Sequence, residues 1–229
     1  MKAKQVFKHI GFTVIMLLPL LYLFLVWGKL PEQVPTHFNI RGLPDEYSSR
    51  SSLAGITVLL CVIVLICYYL LHFLYKIDPR LVNKPSSPAI EKIAVVVAIF
   101  LTAINFTVLF SSLNPAGQWV SKLKGPLLGL LLTFLGYYMY SLKSNYFVGI
   151  RVPWTLDSNY NWRKTHQLAG VIFFIGGLSI CIASLLFSPE ITEYFLMSAI
   201  VLMVIIPTVY SFILFKNRDT TPGYFNKET

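Results

Sequence analysis

Charge is what this sequence has least of. Only 13% of its 229 residues are Asp, Glu, Lys or Arg, while 55% are hydrophobic. A soluble domain of this length carries about a quarter charged residues, so the polar surface here is too small to coat a water-soluble globule. Cysteine is scarce as well. Cys61, Cys67 and Cys181 all sit in apolar runs, with no CxxC and no zinc-type spacing. That argues against a disulfide framework and against a structural metal. HExxH, GxSxG and paired carboxylates within the apolar runs are all absent, which removes the usual signatures of an intramembrane hydrolase. No internal repeat and no low-complexity stretch is visible. The first apolar run ends in Trp27-Gly28-Lys29-Leu30-Pro31, without a small-x-small cleavage signal, so it is expected to be an uncleaved span.

What the chain does have is long apolar runs. A helix rising about 1.5 Å per residue needs roughly 20 apolar residues to cross a hydrocarbon core of about 30 Å. Six runs meet this: Ile10–Gly28, Leu53–Tyr75, Ile93–Leu113, Pro126–Leu142, Leu168–Phe187 and Tyr194–Phe215, none with an Asp, Glu, Lys or Arg. The fourth is the shortest. Pro207 falls inside the sixth, where it could kink the helix. The expectation is an all-α membrane protein, a polytopic bundle of about six transmembrane helices with both termini cytoplasmic.

The orientation comes from the basic residues. With a cytoplasmic N-terminus, 14 of the 19 Lys and Arg fall on inner segments and 5 on outer ones, while the ten acidic residues divide five and five. The whole net charge of +9 then lies on the face that meets anionic lipid, where each basic residue contributes on the order of 1 kcal/mol. Basicity is thereby explained as topology, and no direct nucleic-acid partner is needed. Trp27 and Trp119 fall at expected outer boundaries, Trp154 and Trp162 in the inner connection between spans four and five, as an aromatic belt would place them. Lys2–His9 and Asn217–Thr229 read as short solvated tails. The chain divides into an N-terminal two-span unit, 1–75, and a four-span unit, 76–229.

Two connections of roughly 25 residues are long enough to carry function. The outer one, 29–52, reads LPEQVPTHFNIRGLPDEYSSR from Leu30. Pro31, Pro35 and Pro44 fix φ, Gly42 permits a reversal, and Val34–Ile40 alternates as a strand would. A compact hairpin over the bundle is expected. Pro35, His37, Asn39, Gly42 and Asp45 are its candidate partner-binding residues. A metal held by His37, Asp45 and Glu46 is disfavoured, since the spacing matches no established ligand set.

The inner connection, 143–167, contains GIRVPWTL followed by WRKTH. Gly149 allows a bend before Arg151, and Pro153 stops any helix leaving span four. Asp157 or Ser158 can cap a new helix running into span five, on which Trp162 and His166 share a face. Interfacial anchors and topology charges account for the residue types. They leave the order of Arg, Pro, Trp and Thr unexplained.

These two motifs together are similar to the SdpI family of bacterial membrane proteins. GIRVPWTL with WRKTH resembles the family's signature, and LPEQVPTHFNIRGLPDEY resembles an accessory domain often found at its N-terminus. The match spans about residues 29–170; the last two spans agree only in being apolar. One departure is Val152, where the resemblance leads us to expect a small polar residue such as Thr. What the family implies is protection of the producing cell against a secreted peptide toxin. It also implies a receptor role, in which a DNA-binding repressor is held at the membrane once toxin is present. The outer loop would then be the toxin-facing surface. The inner loop would be the regulator-facing or structural motif, with Gly149, Arg151, Pro153, Trp154, Thr155, Trp162, Thr165 and His166. No catalytic residue and no cofactor is expected.

The competing reading is a small-molecule or peptide transporter. Ion-coupled transport needs ionisable residues at membrane depth or broken helices. Asn105 and Thr102 in span three, with Pro207, are the polar points available for it. Catalysis is disfavoured further because His37 and His166 lie on opposite faces, and His72 near the inner end of span two reads as interfacial.

Overall fold

A computed structural model describes residues 3–39, 41–81 and 88–220. Lys2, Ile40, Lys84, Lys227 and the end of the C-terminal tail lie outside the described residues.

Among the described residues, seven α-helices and one hairpin follow in order: α1 Ala3–Val26, β1 Gln33–Phe38, β2 Pro44–Ser49, α2 Arg50–Ile77, α3 Pro88–Leu113, α4 Trp119–Met139, α5 Pro153–Asp157, α6 Asn159–Leu186 and α7 Pro189–Lys216. Their starts follow from ordinary capping chemistry. The Ser49 hydroxyl accepts from Ser52 N–H at the head of α2, and Pro189 opens α7 at its first turn, where a missing N–H costs nothing. Ser158, one of the two caps the sequence offered, accepts from Asn161 N–H and begins α6.

Among the described residues, α1, α2, α3, α6 and α7 are long and apolar enough to cross a membrane. At most 39% of the apolar window of any of the five is buried inside the molecule, so lipid has to cover the remainder. The protein is a multi-pass helical membrane protein. Helix α4 is not among those five. It starts at Trp119, seven residues earlier than the apolar run, and so takes Lys122 and Lys124 into its first turns.

Packing is organised in layers along the bundle. Under the hairpin, Leu23, Val26, Leu53 and Leu109 enclose Val34 of β1. Mid-bundle, Met16, Val64, Tyr68, Ala94 and Ala98 join α1, α2 and α3. At the far end Leu74, Ile90, Ile93, Leu142 and Trp162 form a third cluster. Ile180, Leu196 and Met203 hold α6 to α7.

Two expectations are corrected here. The tail expected over Lys2–His9 is helical from Ala3, and although the described residues before it are exposed, His9 is only 7% exposed, its Nδ1 2.9 Å from the Tyr68 hydroxyl. An imidazole facing a phenol across α1 and α2 satisfies both polar groups without water. His72 stands beside it, ring centroids 4.1 Å apart. Trp162 is likewise no headgroup anchor; it is 2% exposed, because its indole N–H is taken up inside the protein by the Leu142 carbonyl at 2.8 Å.

Candidate functional site

The loop after α4 is built around two buried polar residues that the sequence did not mark. Asn145, fully buried, closes the turn on itself. Its Oδ1 accepts from Phe147 N–H at 2.9 Å and Val148 N–H at 2.7 Å, while its amide donates to the carbonyls of Lys143 and Val148. Asp78, also fully buried, ends α2 and accepts from Tyr146 N–H at 2.6 Å and Arg80 N–H at 2.8 Å. Arg80 then donates to the Ser144 hydroxyl and the Leu156 carbonyl, with its guanidinium 4.5 Å from the centre of the Tyr146 ring. A basic residue counted from sequence as a topology charge is therefore a brace across the loop.

The motif residues lie on this frame. Gly149 adopts φ +111, and the next N–H, from Ile150, donates to His166 Nε2 at 3.0 Å. His166 Nδ1 faces the Trp162 carbonyl at 2.8 Å. One nitrogen must accept and the other donate, so the ring is held as the neutral Nδ1–H tautomer. Trp162 stacks on it at 4.0 Å between centroids. The Thr155 hydroxyl, fully buried, accepts from Val152 N–H and shares its hydrogen between the carbonyls of Ile150 and Val152. Trp154 reaches across to α7, where Nε1 donates to the Ser211 hydroxyl at 2.8 Å. Asn161 donates to the Ser211 carbonyl and accepts from Thr165. Pro153 opens the one-turn α5. Arg151 is exposed and donates to the Tyr146 carbonyl. The structure thus brings the buried Thr155, Trp162 and His166 together around the Ile150 backbone, with Gly149 exposed beside them and the buried Thr165 paired to Asn161. Trp154 links this loop to α7, and Arg151 is its exposed edge.

At the opposite end of α4 the outer loop forms the expected hairpin. β1 and β2 pair antiparallel from Gln33 opposite Ser49 to Phe38 opposite Pro44, with irregular register on both sides of His37. Asn39 shapes the turn: its Oδ1 accepts from Arg41 and Leu43 N–H at 2.9 and 3.1 Å. Gly42 follows at φ +74. Pro35 is buried against α3, its carbonyl accepting from Ser112. His37 and Asp45 point to solvent and pair at 2.6 Å. The carboxylate beside His37 raises its pKa above the ordinary imidazole value. Among the described residues no group of three or more His, Cys, Asp or Glu is placed to hold a metal.

Between these ends α4 and α6 touch along backbone. Gly129 faces Gly177 and Gly136 faces Gly170, with Gly125 against Ser184. Small residues of this kind allow membrane helices to approach at backbone distance. Lys124 is ion-paired with the buried Glu193 at the start of α7. In the N-terminal bundle Asn105 donates to the Thr57 carbonyl at 3.2 Å and contacts Cys61. Of the two polar points of span three, Asn105 is engaged in joining α3 to α2, and Thr102 donates within α3 to the Ala98 carbonyl at 2.8 Å.

Comparison with known proteins agrees with both motif regions. Residues 141–211 match the SdpI/YfhL protein family, and residues 14–62 match a domain of unknown function, DUF1648. The immunity protein SdpI of Bacillus subtilis is 23% identical over 220 residues, covering 93% of this chain and 98% of the relative. An uncharacterized protein of Archaeoglobus fulgidus is 36% identical over 69 residues, 29% of this chain and 38% of that protein. No solved structure matches the chain.

Proposed function

We propose that this chain, similar to the SdpI/YfhL family over residues 141–211 and to DUF1648 over residues 14–62, is a non-enzymatic immunity protein. In this reading it protects its cell against a secreted, membrane-active peptide. The observation that carries it is the span of the likeness. A relative named as an immunity protein aligns over nearly the full length of both chains, so hairpin, bundle and inner loop are all included. We further infer that α4 is a sixth span. It is 21 residues long and lies antiparallel to α6 from Gly125 against Ser184 to Gly136 against Gly170. A helix in backbone contact with a spanning helix shares its depth. Six spans put both termini on one side, and the basic residues make that side the cytoplasm.

On this topology the hairpin faces outward and carries the peptide-facing surface, with Pro35, His37, Asn39, Gly42 and Asp45. The network of Gly149, Thr155, Trp162 and His166 faces the cytoplasm, with Arg151 exposed beside it as the contact for a DNA-binding repressor. Expression in a strain sensitive to membrane-active peptide toxins tests the immunity reading. Survival should rise over an empty vector for at least one toxin. Survival equal to the vector across a panel, with the protein present in the membrane, sinks it.

A further inference from the structure

Among the described residues three sets of tight glycine contacts occur in turn at the hairpin, along α4 and at the inner loop. At the outer end Gly42 rests on the first turn of α4. A methyl carbon placed there would lie 2.5 Å from Ser121 Cα and 2.6 Å from its nitrogen. Along the bundle a methyl on Gly129 would lie 2.7 Å from the Gly177 oxygen, and one on Gly136 2.4 Å from Phe174 nitrogen. At the inner end a methyl on Gly149 would lie 2.3 Å from His166 Nε2. These are all well inside van der Waals contact. Two of the three sets put backbone on backbone, and the third puts backbone on an imidazole held at both nitrogens. Side chains also touch the seam, Cys181 Sγ at Gly129 and Thr133 Oγ1 at Gly177, but the backbone contacts beside them cannot be relieved by a change of rotamer.

The element between the two ends is one continuous helix, with Pro126 inside it near the hairpin end. α4 runs 21 residues, about 31 Å at the α-helical rise. It hangs between two non-helical joints. Before it, Gln118 is held at φ 51, a left-handed conformation costly for a residue with a Cβ. After it, Tyr140–Leu142 turn away, and the Leu142 carbonyl takes the Trp162 indole. A rigid element packed without slack against its neighbours moves by small shear or tilt.

We propose that α4 is a transmembrane strut, carrying a displacement of the hairpin tip along its glycine seam with α6 to the loop around Gly149 and His166. This rests on the reading of the hairpin as the ligand-facing surface. Its test, however, does not depend on immunity.

The full chain is reconstituted in nanodiscs and amide hydrogen exchange is followed at residues 145–152. Arg41→Cys, exposed beside Gly42, is modified after folding with a bulky membrane-impermeant maleimide, which wedges the tip from α4 without challenging folding. Gly42→Ala places a smaller wedge genetically. A label on Tyr47→Cys, exposed on β2, serves as the control. Exchange at 145–152 should change about five-fold or more with the two wedges, the lower end of typical site-to-site coupling, and not with the control. Inner-loop exchange unchanged by both wedges overturns the proposal, whatever the hairpin does. An equal change with the Tyr47 label overturns it too, since that would be general loosening.

Discussion

The inner loop and the outer hairpin are comparable in length and opposite in construction. In the inner loop five polar side chains are buried and paired: Asn145, Thr155, Asn161 and Thr165 have no exposed surface, and His166 has 1%. In the hairpin the backbone is anchored at Val34, Pro35 and Gly42, while the side chains of His37, Asp45 and Glu46 stand in solvent. A buried polar network has one satisfied arrangement and is costly to disturb. An exposed hairpin exchanges its hydrogen bonds with water at little cost. One end of the molecule therefore holds its polar side chains in its own packing, and the other presents them to solvent from an anchored backbone.

The largest expected effect that would break this contrast is at Gly149. Gly149→Ala combines an unfavourable φ of +111 with a methyl 2.3 Å from an imidazole that cannot retreat. The cost should be about 3 kcal/mol or more, read as a shift in the denaturant midpoint in mixed micelles. A loss below about 1 kcal/mol, within the range of ordinary surface changes, would mean the inner loop is as compliant as the hairpin.

A matched pair of asparagines sharpens the comparison. Asn145 and Asn39 do the same job, accepting two backbone N–H groups within a turn. Asn145→Ala leaves buried donors and carbonyls without partners and should cost about 2–3 kcal/mol. Asn39→Ala leaves groups that water reaches, so its cost should stay below about 1 kcal/mol. Both are measured in the same unfolding experiment. Equal costs would show that burial is not what separates the loops.

Much of this was legible in the sequence, and the parts that were not share a cause. Apolar runs gave the helices, because in lipid every backbone group must be satisfied within the segment. Pro and Gly placement gave the hairpin, and the i, i+4 spacing gave the contact of Trp162 with His166. The start of α4 was missed because Lys122 and Lys124 look like loop residues until Glu193, 69 positions from Lys124, is brought beside it. Asp78, Arg80 and Asn145 were missed for a related reason. Each reads locally as a helix end, a topology charge or a turn former, and only the approach of α2 to the inner loop makes them a frame. The Asp-Pro-Arg at residues 78–80, directly after an apolar run, was the one available signal. Trp162 was misplaced because indoles suit both membrane boundaries and cores. The carbonyl that decides between them belongs to Leu142, 20 residues away.

The smallest expected effect belongs to His37, and it carries a sign. Its pKa is raised, first by the hydrogen bond to Asp45 and then by that carboxylate's charge, with Glu46 adding to it. A raised folded-state pKa means that the protonated form is favoured in the closed hairpin. The support this gives is fully present below the ordinary imidazole value of about 6.5 and is lost as pH rises through the higher folded value. Amide exchange of β1 and β2, corrected for its intrinsic pH dependence, should therefore accelerate modestly across that window. Asp45→Asn should remove the dependence, and His37→Ala should leave a flat profile at the high-pH level. The inner loop should show no matching step, because His37 and Asp45 are solvent-exposed side chains while the strut contact is made by Gly42 backbone. A hairpin whose exchange slows as His37 loses its proton would reverse the sign and assign the pairing with Asp45 no stabilising role.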